Sequence, residues 1–197
     1  MRAIAARDAA TLIAHLKRIA RARNTTRAQL RDAAACLLGM HGLRIGEVLQ
    51  LEVSDFLLRD QKLKVRTLKR GPWRIVPIDT ATWSVLLKLR KQAEQNKIAL
   101  VFRTSTNKKC DPKNLRSQFQ SWSRMAINAT PRFHDMRHTV AQCVYEQSGH
   151  DLLIVKKLLG HKSIESTLIY LQGGKELREM MPTIVFAPKK KQKAPQA

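Results

Sequence analysis

Acidic residues are scarce in this chain: 15 Asp+Glu stand against 37 Lys+Arg, a formal net charge of +22 with histidine neutral. Cysteine is also sparse. Cys36, Cys110 and Cys143 are odd in number and far apart, which excludes a disulfide framework and a CxxC metal motif and fits reduced thiols. No window approaches the ~20 apolar residues that a membrane helix needs. The first apolar stretch is broken by Arg7 and Asp8 and carries His15 and Lys17, unlike a signal peptide. A cytoplasmic protein without a membrane partner is the expectation.

What is there can still bury a core. The hydrophobic fraction is 44%, ordinary for a globular chain and unlike a disordered basic tail. At 197 residues one domain is expected, with two small ones as the alternative. A pI near 10.8 calls for a polyanionic partner, because such a surface gains from Coulomb attraction and from counterion release. Nucleic acid comes first; ribosomal proteins, anionic-membrane binders and heparin binders share the composition.

Hydrophobic spacing predicts helices over residues 3–22 and 27–40, the second after the cap-like Asn24-Thr25-Thr26. A short third helix is expected from Ile45 to Leu51. The β-rich runs Leu63 to Thr67 and Trp73 to Ile78 flank the turn-forming Leu68-Lys69-Arg70-Gly71-Pro72 and predict a hairpin with a basic tip. Asp79-Thr80 caps a helix to about Asn96, and Leu100 to Arg103 reads as a short strand. Asp111-Pro112 opens a helix to about Ala129, and another spans His134 to Gln147. Asp151 caps Leu152 to Leu159, with Gly160 as its stop, and Ser163 to Tyr170 reads as helix again. Ala187 to Lys193 is a basic tail expected to be disordered. The fold class is therefore α+β, mainly α-helical, with a small antiparallel hairpin or sheet at one edge. Trp73, Trp83 and Trp122 sit in apolar patterns and are expected in the core rather than as base-stacking platforms.

Four segments share a chemical theme. Gly42-Leu43-Arg44-Ile45-Gly46-Glu47 starts a helix with an arginine, and a carboxylate three residues on can reach back to its guanidinium. Lys69 rides the hairpin. His134 and Arg137 fall at i and i+3 on one helix face, and Leu159-Gly160-His161 is followed nine residues later by Tyr170. Taken singly each has an ordinary explanation, such as an exposed ion pair, a solvated turn, a helix cap or a core tyrosine. Together they form a metal-free phosphoryl-transfer set. Arginine forks neutralise non-bridging oxygens, a lysine can protonate a leaving oxygen, and a phenol can attack phosphorus and keep the bond energy in an ester.

Those residues, in that order, resemble the tyrosine recombinase and phage integrase family over roughly Arg27 to Tyr170. Gly42–Glu47 with Leu51 and Asp55 is similar to its first arginine box, and Lys69 before Arg74-Ile75-Val76-Pro77 to its hairpin lysine. His134-Asp135-Met136-Arg137-His138-Thr139 is similar to its HxxR box. The resemblance implies a tyrosine recombinase catalytic-domain fold and a site-specific recombinase, of the kind mobile elements carry. Tyr170 would attack duplex DNA to form a 3′-phosphotyrosyl link and free a 5′-hydroxyl. Arg44, Arg137 and His161 would hold the scissile phosphate, Lys69 act as general acid, His134 assist and Glu47 support Arg44. Arg70, Arg74, Arg132 and Lys162, beside these positions, are expected to bind DNA.

The implied partner is double-stranded DNA, engaged by a homo-tetramer on two sites that is a monomer free in solution, with accessory DNA-bending proteins and no metal or nucleotide cofactor. Pro182-Thr183-Ile184-Val185-Phe186 is the candidate for the segment that family members exchange between protomers. About 26 residues precede the resemblance, so residues 1–26 are expected to be a basic helix that is either a remnant of a DNA-clamping domain or a substitute for it. Residues 27–186 would be the catalytic domain, and 187–197 a tail, as in short fimbrial-type DNA invertases. A noncatalytic DNA-binding relative and a type IB topoisomerase-like nicking and resealing enzyme are the alternatives. His15, His41, His138 and His150 have no assigned role.

Overall fold

The computed structural model describes residues 3–67, 73–161 and 167. Helix α1 (Ala6–Arg21) buries Ala9, Leu12, Leu16 and Ala20 along one stripe. It starts later than its apolar pattern suggests, because the Ile4 N–H is held by Thr139 Oγ1 at 2.8 Å and that segment docks instead of winding. Helix α2 (Arg27–Gly39) opens with a reciprocal cap: Gln29 N–H donates to Thr26 Oγ1 and Thr26 N–H to Gln29 Oε1. From Ala33 to Gly39 every residue of α2 is buried, which makes it the central helix. Leu12, Leu16 and Ala20 join the same core cluster as α2, so residue 26 is not a break in the packing.

The arginine segment follows at once. Gly42 takes φ +80° to turn the chain out of α2, and α3 (Ile45–Val48) is a single turn. Its expected extension to Leu51 does not form. The Leu51 carbonyl accepts from Val101 N–H, Glu52 pairs with Leu100, and Val53 N–H donates to Ala99, so the chain is drawn into extended pairing. The strand expected at 100–103 is reduced to the isolated bridges Glu52 with Leu100 and Arg103 with Lys109.

Three antiparallel strands follow in spatial order β1 (Phe56–Leu57), β2 (Lys62–Arg66) and β3 (Trp73–Pro77). The two-residue β1 is too short to leave a period in the sequence. Register pairs Leu63 with Val76, Val65 with Arg74 and Arg66 with Trp73. Leu63, Val65, Arg74 and Val76 therefore turn inward, while Lys64, Arg66, Trp73 and Ile75 turn outward. Trp83 and Trp122 are core residues as expected, but Trp73 is 42% exposed, a correction. Its ring lies beneath Lys64 Nζ and the Arg66 guanidinium, each 4.5 Å from the ring centre.

Helix α4 (Thr80–Gln95) is capped by Asp79 and α5 (Pro112–Ile127) by Asp111; α5 ends at Asn128 in the left-handed region, before the expected Ala129. Helix α6 (Phe133–Gln147) crosses α2 so closely that a Cβ on Gly39 would collide with Met136. Helix α7 (Leu152–Leu159) starts on Asp151, closes on Gly160 at φ +66°, and packs on α6 through Val155, Leu159 and Ala141. The Ser163 to Tyr170 helix, the 182–186 segment and the 187–193 tail lie outside the described residues, Thr167 excepted.

Candidate active site

Arg44 is the N-cap of α3. Glu47, at the third helical position, accepts the Arg44 backbone N–H at 2.8 Å and Arg44 Nη1 at 3.0 Å. The side chain of Arg44 stays 28% exposed, so the carboxylate aims the guanidinium without consuming it. Glu47 itself is buried. Burial alone would raise its carboxyl, but the hydrogen bonds and charge of Arg74, then the Arg44 N–H and Arg137, bring it below the usual carboxylate value.

Arg137 is 1% exposed and works as a strut. Its Nη1 donates to the Gly42 carbonyl and its Nη2 to the Leu159 carbonyl. One side chain of α6 thereby joins the loop before Arg44 to the end of α7. Those contacts span 95 and 22 residues of sequence. His161 follows immediately, buried, with Nδ1 3.0 Å from Thr167 Oγ1. His134 stands one turn before Arg137 and meets the buried His138 edge to face, with ring centres 5.2 Å apart.

Both histidines are held neutral. Burial first, then Arg137, Arg44 and Arg74, lower His161 to about 3. Burial, then His138, Arg137 and Arg44, lower His134 to about 4. Three guanidiniums gather here around one carboxylate, which leaves two positive charges for an anion to balance. Among the described residues no group of His, Cys, Asp and Glu could hold a metal ion, and no helix is long and apolar enough to cross a membrane.

Arg44, Glu47, His134, Arg137 and His161 thus converge from three segments. Arg132 is the N-cap residue of α6, with a side chain 61% exposed and tethered to Asp135 at 3.1 Å. Arg74, expected to meet DNA, is turned inward with a side chain 6% exposed. It binds Glu47 through Nη1 at 3.0 Å and Nη2 at 2.7 Å. Lys69, Arg70, Lys162 and Tyr170 lie outside the described residues.

A cleft of ≈ 380 Å³ opens beside Arg44, lined also by Arg116, Gln120, Arg132 and His134. Arg116 and Gln120 were missed in the sequence. They fall one turn apart on the polar side of α5, a spacing shared by any solvated helix, and only the docking of α5 beside Arg44 singles them out.

A helical domain with a small antiparallel sheet at its edge, gathering three arginines and two histidines around a buried carboxylate, defines the class of tyrosine recombinase catalytic domains. The sequence model described as the phage integrase family matches residues 5–176, and the chain belongs to that family. It is similar to the tyrosine recombinase XerA of Pyrococcus horikoshii, 30% identical over 142 residues, covering 70% of this chain and 49% of the relative. Tyrosine recombinase XerC of Chlamydia pneumoniae is 31% identical over 161 residues, covering 76% and 49%. The chain spans about half the length of the curated relatives it matches. Among solved structures, a XerA recombinase superposes with TM-score 0.72 at 23% identity, covering 96% of this chain and 66% of the other. XerH bound to its difH substrate superposes with TM-score 0.74 at 20% identity, covering 95% and 55%. These last two likenesses are likenesses of fold.

Proposed function

We propose that this chain carries the catalytic centre of a site-specific DNA recombinase that cuts and rejoins duplex DNA through a 3′-phosphotyrosyl ester. The observation that carries the reading is the Arg137 strut, which brings the arginine segment and the Leu159-Gly160-His161 segment to one place with His134 beside them. A surplus of positive charge held by buried struts is the preorganised environment that a pentacovalent phosphorane needs, since little reorganisation is required as charge builds on its oxygens.

In this reading Tyr170 Oη attacks the scissile phosphorus, the bond to the 5′ oxygen breaks, and that oxygen takes a proton from Lys69. The freed 5′-hydroxyl later attacks the phosphotyrosyl phosphorus of a partner duplex and expels the phenolate, so no water or nucleotide is consumed. Arg44 and Arg137 neutralise the non-bridging oxygens. His161 and His134, neutral when free, donate hydrogen bonds to them. Arg132, Arg70 and Lys162 steady the flanking backbone, and Glu47 aims Arg44. Strand exchange between two sites calls for four protomers, with accessory DNA-bending proteins as further partners, in the nucleoid of the cytoplasm.

The test uses the full chain and a duplex nicked just 3′ of the scissile phosphate, so that the cleaved product diffuses away. Covalent protein on DNA is scored on a denaturing gel. The expected adduct forms with the native chain and is lost in Tyr170→Phe, while duplex binding is retained. An adduct that persists in Tyr170→Phe moves the nucleophile elsewhere. Binding without any adduct, across substrates that bind, replaces the reading with a noncatalytic DNA-binding relative.

A further inference from the structure

The inward turn of Arg74 is not what a DNA contact requires. A guanidinium that meets phosphate needs its charge free for it, as Arg137 has on two neutral carbonyls, whereas the Arg74 fork is closed on both oxygens of the Glu47 carboxylate in a buried, two-point pair. The same carboxylate holds the backbone and the guanidinium of Arg44, so the two arginines share one anchor. A third segment meets them. A Cβ added to Gly160 would come within 2.9 Å of Arg74 Cδ and 3.2 Å of its Nη1, so the left-handed cap of α7 closes directly over this side chain. His161 is the next residue, and Arg74 is among the charges that keep it neutral.

From this geometry we infer that Arg74 is a positioning residue. It fixes strand β3 against Glu47, and so sets Arg44 and the Gly160-His161 turn in register with each other. The inference rests on the catalytic reading above for what is positioned, but the placement of Arg74 itself does not. A lysine in its place keeps the charge and loses the fork: one ammonium cannot span both oxygens, so Glu47 is held by Arg44 alone on one side and the aim of Arg44 loosens. With both terminal nitrogens of Arg74 on Glu47, its loss acts on the rate of the chemical step and leaves the grip on DNA alone.

The experiment compares the native chain, Arg74→Lys, Glu47→Gln and the double variant. Three readouts are single-turnover adduct formation on the nicked duplex, duplex affinity across a salt series, and thermal unfolding. Arg74→Lys is expected to slow cleavage by roughly tenfold or more, with affinity and its salt slope unchanged. In the Glu47→Gln background the second substitution adds little, because the two act through one contact. A salt slope that falls by about one unit would make Arg74 a phosphate contact, and the inference would be wrong. Cleavage at the native rate, or fully multiplicative losses in the double variant, would also overturn it.

Should Arg74→Lys fail to fold, the native chain still decides. With isotope-labelled arginine, the Arg74 Nη resonances are expected to be split by hindered rotation and to stay in place when duplex is added, while those of Arg44 move. Arg74 resonances that shift on adding DNA would overturn the proposal. If the native chain forms no adduct at all, the recombinase reading fails, and the salt slope and Nη resonances still show whether Arg74 holds Glu47 or meets DNA.

Discussion

Arg137 Nη2 donates to the Leu159 carbonyl at 2.5 Å, and this bond fastens the helix that carries the HxxR segment to the helix end that presents His161. Its other terminal nitrogen holds the Gly42 carbonyl. A residue first read as a phosphate ligand is also a structural tie.

That double duty predicts a stability defect as well as a catalytic one. Arg137→Ala removes the donor from two buried carbonyls, each worth about 1–3 kcal/mol when left unsatisfied. The midpoint of urea unfolding should drop accordingly, and adduct formation should fall by at least ~10²-fold. A variant with native stability and reduced cleavage alone would confine Arg137 to the chemistry and deny it the structural role.

Neutral histidines give a second expectation. His161 and His134, lowered to about 3 and about 4, should show no imidazole titration by NMR between pH 7 and 5.5 in the free protein. Between those values and the ordinary 6.5 the unfolded chain binds more protons than the folded one. Their contribution to stability is therefore complete above about pH 6.5 and is lost as pH falls toward 3. Titration of either ring near 6.5 would contradict the burial and the crowd of guanidiniums described around them.

Arg116 supplies a contrast with Arg74. It is exposed on the wall of the cleft beside Arg44, so Arg116→Ala should leave thermal stability within about 0.5 kcal/mol while weakening duplex binding at every sequence. The salt slope of binding should fall by about one unit. Unchanged affinity over the salt series would remove this wall of the cleft from the DNA path.

Much of the fold is legible because it is local. Thr26, Asp79, Asp111 and Asp151 cap their helices through bonds two or three residues long, and each lies where the sequence marks a cap; the return bond from Thr26 to Gln29 emerges only in the structure. The boxes are equally plain: Arg44 and Glu47 are three residues apart, as are His134 and Arg137, and a helix puts each pair on one side. Where a distant segment competes, the pattern misleads. Ile45 to Leu51 has helical spacing, but pairing with residues 99–101 ends the helix after one turn.

The strand Trp73-Arg74-Ile75-Val76-Pro77 marks the limit most clearly. Alternation in the sequence establishes that Trp73 shares a face with Ile75 and Arg74 with Val76, and nothing more. Either face holds an apolar residue, so the sequence does not say which one turns to the core. The docking of this strand against Glu47 and Gly160 decides it, because a buried carboxylate fixed by α3 needs a guanidinium opposite and an indole does not supply one. Arg74 therefore goes in and Trp73 goes out, a choice made by the electrostatics of segments that meet only when the chain is folded.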